Sequence, residues 1–131
     1  MAGNGGAEAQ EQHLLDLERT TLTQRLGPET AAPEARKFVQ VRVLRVENPQ
    51  RIPLSFRLHY LPPQGDAIAL GSFSLFPPNN PGTFIVATGG ALRTGGDVRL
   101  TLAPLQAVDS DDEARVWIAP LRFVDDIEQA N

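Results

Sequence analysis

From residue 38 onward, apolar and polar side chains alternate with a period of two, the repeat of a strand that buries one face. "FVQVRVLRVE" (38–47) places Val39, Val41 and Val43 on one side, with Gln40 and Arg42 on the other. "LSFRLHY" (54–60) alternates more cleanly: Leu54, Phe56, Leu58 and Tyr60 point one way, Ser55, Arg57 and His59 the other. "AIALGSFSLF" (67–76), "TFIVAT" (83–88), "DVRLTLAPL" (97–105) and "ARVWIAPLRFV" (114–124) complete a set of six strands. Gly71 inside the third marks a bulge or a close backbone approach. Turn chemistry separates them: Asn48-Pro49, Pro62-Pro63 with Gly65, Pro77-Pro78 with Asn79 and Asn80, Gly89-Gly90, Gly95-Gly96 and "DSDDE" (109–113). Pro53, Pro104 and Pro120 must lie at strand starts, edges or bulges, because proline donates nothing to a ladder. Short, regular strands with one polar face each predict an all-β fold, an antiparallel two-sheet β-sandwich of six to seven strands.

The pattern before residue 37 differs. Residues 1–12 are rich in Gly, Ala and Gln and predict disorder. In "HLLDLERTTLTQRL" (13–26), Leu15, Leu22 and Leu26 recur near helical spacing and Leu14 and Leu17 widen that face, so a short helix is expected. Thr20, Thr21 and Thr23 oppose it, since β-branched side chains lose χ1 freedom in a helix. "GPETAAPEA" (27–35) reads as a linker. The expected organisation is a flexible arm over 1–36, a sandwich over 37–126 and a disordered tail over 127–131.

Composition narrows the chemistry. Net charge is −4 and the isoelectric point is near 5.1. The arginines are scattered along strands and form no cluster, which disfavours a nucleic-acid partner or an anionic membrane surface. No apolar run approaches the roughly 20 residues of a membrane helix. The N-terminus shows no basic and apolar signal pattern, so a cytoplasmic location is expected. There is no cysteine, hence no disulfide and no thiolate metal site. His13 and His59 are isolated, whereas a metal site needs three or four converging ligands. No serine sits in a nucleophile elbow. "TGGALRTGGD" (88–97) lies between strands, without the helix that a phosphate cradle needs. "DSDDEAR" (109–115) lacks the spacing of a calcium loop and reads as a solvated turn. The chain is not expected to be a catalyst by itself, nor to carry a cofactor.

Four stretches bring a family into view: "KFVQVRV" (37–43), "IALGSFSLFP" (68–77), "DVRLTLAPLQAVDSDDEARVWIAPL" (97–121) and the closing "LRFV" (121–124). In this order they resemble the C-terminal β-sandwich domain of type-3 copper proteins, the polyphenol oxidases, tyrosinases and molluscan haemocyanins. "KFVQVRV" looks like the opening strand of that domain. The resemblance covers about two thirds of the chain. Nothing here matches the copper-binding helical bundle that precedes the sandwich in that family. The resemblance therefore implies an accessory half that caps, shields or helps assemble a dicopper oxidase partner, with the dicopper centre in the partner.

The family's cap often lays one side chain over the copper site. The natural candidates are the two proline-framed corners: Phe76 before Pro77 and Pro78, and Tyr60 and Leu61 before Pro62-Pro63. Prolines fix a neighbouring side chain's direction at low entropic cost. The competing reading is that Phe76 and Tyr60 close the ends of the core. A second class of function is a self-associating structural or protein-interaction sandwich, a homo-oligomer whose arm reaches a neighbour. Trp117 is its candidate anchor, because it falls on the face opposite Val116 and Ile118; a bulge at Ala119-Pro120 would instead turn it inward. A carbohydrate-binding sandwich ranks last, since it would need several exposed aromatics.

Overall fold

The computed structural model describes residues 12–26, 36–93 and 95–125. They form nine strands: β1 (His13–Asp16), β2 (Thr21–Arg25), β3 (Phe38–Glu47), β4 (Leu54–Leu61), β5 (Ile68–Ser74), β6 (Gly82–Ala87), β7 (Asp97–Pro104), β8 (Arg115–Ile118) and β9 (Arg122–Val124). All pairings are antiparallel. One sheet runs β1-β8-β3-β6, with β9 also paired to β3; the other runs β2-β7-β4-β5. The expected two-sheet sandwich is therefore present. Its strand order is that of a jelly roll, two interleaved Greek keys in which consecutive strands cross from sheet to sheet.

The alternation read from the sequence picks out the buried apolar face of β3 and β4, although Gln40 and Ser55 on the opposite faces are buried as well. Leu54, Phe56, Leu58 and Tyr60 on β4 face Val98, Leu100 and Leu102 on β7, and all are essentially inaccessible. From the other sheet, Val39, Val41, Val43, Val116 and Ile118 close the core. Complete burial of such side chains contributes about 1.5–3 kcal/mol each before conformational entropy is counted. The ion pairs are all at least partly exposed and add little.

Two expectations are corrected. Residues 13–26 form no helix but two edge strands, one in each sheet. Asp16 reverses the chain between them. Its Oδ1 accepts from the amides of Glu18 (2.9 Å) and Arg19 (2.6 Å), and its own amide donates to Arg19 O at 2.9 Å. Leu15 and Leu22 are thus buried from separate strands, and their helix-like spacing is incidental. Beyond the reversal the true period is two: Leu22 and Leu26 are buried, and Gln24 between them is half-buried. Gln24 bonds across to the first sheet, donating to Leu121 O at 3.0 Å and accepting from Leu121 N at 2.9 Å. Residues 13–26 therefore belong to the sandwich, not to an arm. Second, the last expected strand is two, because Pro120 interrupts it; Ala119 donates to Arg42 O (3.0 Å) before the chain resumes as β9. The expected disorder over 1–12 (apart from Gln12), the 27–35 linker and the 127–131 tail lie outside the described residues. The strand at 37–43, taken as an opening strand, is the third in the chain and lies inside its sheet.

The two sheets approach closely where β5 meets β6. Phe56, Phe73 and Phe84 stack there, with ring centroids 5.0 and 4.3 Å apart. Gly71 makes the approach possible: a Cβ at that position would sit 2.7 Å from Val86 Cγ1. Gly71→Ala is expected to destabilise the fold by about 1–3 kcal/mol through overpacking against a stiff, buried valine. In urea unfolding, the Gly71→Ala, Val86→Ala pair should lose less than the sum of its single changes, since the shorter side chain makes room.

A braced loop end as the candidate functional site

Because β1 to β8 alternate direction along the chain, the loops between them fall into two groups. Those at 17–20, 48–53, 75–81 and 105–114 gather at one end; those at 62–67 and 88–96 gather at the other. The two Pro-Pro corners flank β5 and so lie at opposite ends. The structure does not bring Phe76 together with Tyr60 and Leu61.

At the 62–67 end, Tyr60 is core. Its ring is fully buried, and its hydroxyl is placed 2.9 Å from Gly95 O and 3.2 Å from Arg93 O, while Arg93 N donates to it at 3.1 Å. A buried tyrosine tip needs such partners. Gly96 completes the arrangement, with φ of +85° and the space for a Cβ already taken by Leu61 O at 2.4 Å. As a partner contact Tyr60 is thus overturned: no surface remains to present. Leu61 is half-buried and, with Pro62, Pro63, Gly95 and Gly96, lines an open cleft of about 510 Å³.

The 75–81 end is different. Leu75 is buried and donates to Leu54 O at 3.1 Å, ending the β4–β5 ladder. The next side chain, Phe76, is 92% exposed. Pro77 is exposed, Pro78 is half-buried, and the amide of Asn80 donates to Pro77 O (3.1 Å) to close the turn. Extending the registers by one residue puts Pro53 opposite Phe76 on one side and Leu105 on the other. Leu105 donates to Pro53 O at 2.9 Å, is itself 60% exposed, and leads to Val108, 40% exposed. An apolar row thus crosses the ends of β5, β4 and β7.

Two amide side chains hold this end rigid, and neither stood out in the sequence. Asn48 is buried; its Nδ2 donates to Ile52 O (2.9 Å) and Pro78 O (3.3 Å), and its Oδ1 accepts from Ile52 N at 3.0 Å. Gln50 donates to Asp111 O at 3.2 Å and accepts from Glu113 N at 2.8 Å. One loop therefore braces both neighbours. The only signal for it was the Asn-Pro turn, which says where the chain bends but not what the side chain then reaches. Two of the four acids of 109–113 close their own turn: Asp109 Oδ1 accepts from Asp111 N (3.0 Å) and Asp112 Oδ2 from Asp109 N (2.9 Å).

Trp117 lies elsewhere, on the outer face of the first sheet. Val116 and Ile118 point inward and the tryptophan outward, so no bulge turns it in. It is half-buried because the Arg45 guanidinium covers its ring at 4.7 Å, a cation–π contact anchored by Glu47, which pairs with Arg45 and with Arg115 (3.4 Å). His13 and His59 are on different sheets. Among the described residues, no group of three or more His, Cys, Asp or Glu is placed to hold a metal ion.

No family model matches the chain, and no curated protein is significantly similar to it. The geometry predicts opposite effects for two neighbours in this end. Asn48→Ala should cost about 2 kcal/mol in urea unfolding, because it leaves the buried Ile52 amide unpaired. Phe76→Ala should change stability by no more than about 0.5 kcal/mol, as expected of an exposed side chain without internal partners.

Proposed function

We infer that this protein is a non-catalytic protein-docking module, and that the loop end carrying Phe76 is its docking surface. One observation carries this reading: a phenylalanine 92% exposed at a braced corner. Scattered exposed aliphatics need no explanation, but a large aromatic left in water beside Leu105 and Pro53 is an anchor without a socket. The bracing by Asn48 and Gln50 means that little flexibility is lost when a partner closes over it, which favours affinity.

The partner class comes from the resemblance of 37–124 to the C-terminal sandwich of type-3 copper proteins. In that reading Phe76 is the capping side chain, set by Pro77 and Pro78, and the partner is a tyrosinase-like dicopper oxidase that the module shields, stabilises or helps assemble. The copper belongs to the partner. Tyr60 has no part in it, and Leu61 lies at the far end.

The test is capture of the partner from native lysate on the immobilised chain, with mass spectrometry and a copper assay of the eluate. A stoichiometric dicopper oxidase is expected with wild-type chain. Phe76→Ala is expected to weaken its binding roughly 30-fold, the loss of a hot-spot side chain worth about 2 kcal/mol, and to raise the oxidase activity of the complex. An eluate without a copper protein sinks the oxidase reading. A partner that binds Phe76→Ala as tightly as wild type sinks the corner as its docking site.

A further inference from the structure

We propose that a second copy of this chain pairs with the open edge of β5, forming a two-fold antiparallel dimer in which the β2-β7-β4-β5 sheet runs on into its symmetry mate. This surface is distinct from the Phe76 end treated above, and its support is independent.

The first support is the distribution of charge. Asp, Glu, Lys and Arg make up 21% of the chain, yet residues 67–92 contain none. That stretch comprises both strands of one side of the sandwich, β5 and β6, and the turn between them. The opposite side is guarded: Asp16, Glu18, Arg19 and Arg25 surround the β1 and β2 edges, and Arg25 pairs with Asp97 at 3.9 Å. Natural sheets protect free edges with charges, prolines or bulges. In a protein of net charge −4, the uncharged side is where two identical copies meet with least repulsion.

The second support is the edge itself. Ile68, Ala69, Gly71, Ser72 and Ser74 are all exposed. The bond from Leu75 N to Leu54 O sets the phase of the ladder. Residues 71, 73 and 75 turn their backbone groups toward β4, while Ser72 and Ser74 turn theirs outward. No large side chain screens these groups. A register shift at Leu58/His59, which leaves Leu70 as the extra residue on β5, limits the regular run to the residues after it. A run this short and uncharged complements itself. With the two-fold at Phe73, Ser72 of one copy faces Ser74 of the other, and each such pair exchanges two hydrogen bonds. An isologous contact of this kind closes at the dimer.

Sedimentation velocity over a concentration series into the hundreds of micromolar tests this, with circular dichroism as the check on folding. Ser72→Pro removes an outward amide that no internal ladder uses, which edge strands tolerate. Thr23→Pro makes the matched change on β2, whose outward residues are 21, 23 and 25 by the same alternation, set by the bonds from Leu102 N to Thr20 O and Leu26 N to Gly96 O. Wild type and Thr23→Pro are expected to dimerise alike. Ser72→Pro is expected to weaken the dimer about tenfold or more, because the two-fold removes two hydrogen bonds at once. The register has its own test: Ser72→Lys and Ser74→Glu in one chain place opposite charges across the two-fold, so the double variant should dimerise better than either single one. A wild type that stays monomeric throughout, a dimer that Ser72→Pro leaves intact, or equal loss in Ser72→Pro and Thr23→Pro overturns the proposal.

Discussion

Neither sheet of this protein can exist without the other, because each central strand has one face only that tolerates water. β4 shows the constraint in its simplest form. Leu54, Phe56, Leu58 and Tyr60 are shut away, whereas Arg57 and His59 on the other face keep contact with the surface. Exposing the inner face would return several large side chains to water at about 25 cal/mol per Å². The chain meets this demand by crossing between sheets at almost every connection, so that neighbours in sequence cover one another's inner faces. Ends and edges, where that covering stops, are what remain for function.

The ends are unequal. At one, Tyr60 reaches the 88–96 loop and is consumed by the core: its hydroxyl is occupied and Gly96 leaves no room above it. At the other, Asn48 and Gln50 spend their hydrogen bonds on holding three loops together, which frees Phe76 from any internal duty. Rigid backbone beneath an exposed aromatic is the arrangement that favours docking, because the anchor's direction is set before the partner arrives. The same chemical motif, an apolar residue before two prolines, thus closes the core at one corner and stands clear of it at the other.

The edges are unequal too. Charge gathers around β1 and β2 and is missing from β5 and β6. The close approach at Gly71 and the aromatic stack beneath it seal the β5–β6 side internally, yet the outward backbone groups of β5 remain unpaired by any neighbouring strand in the sheet order. Trp117, the residue that looked most like an interface anchor, is instead covered by Arg45. A cation from the adjacent strand removes part of the surface that an outward position implies.

The local period determined much of this from the sequence alone. It marked β3 and β4 with the inward face of each, the strand at β7 and an outward position for Trp117, because a strand's alternation is a property of neighbouring residues; it ran β8 and β9 together as one strand, which Pro120 divides. It misread 13–26, where two buried leucines on different strands mimic one helical face, and only the Asp16 reversal separates them. The sandwich was legible; its jelly-roll order was not, because strand pairing depends on which loops cross from sheet to sheet. Phe76 and Tyr60 were equivalent candidates until tertiary structure placed them at opposite ends. What sets Phe76 apart is that the neighbouring loops spend their hydrogen bonds on each other, and pairing between residues distant in sequence leaves no trace in the local pattern.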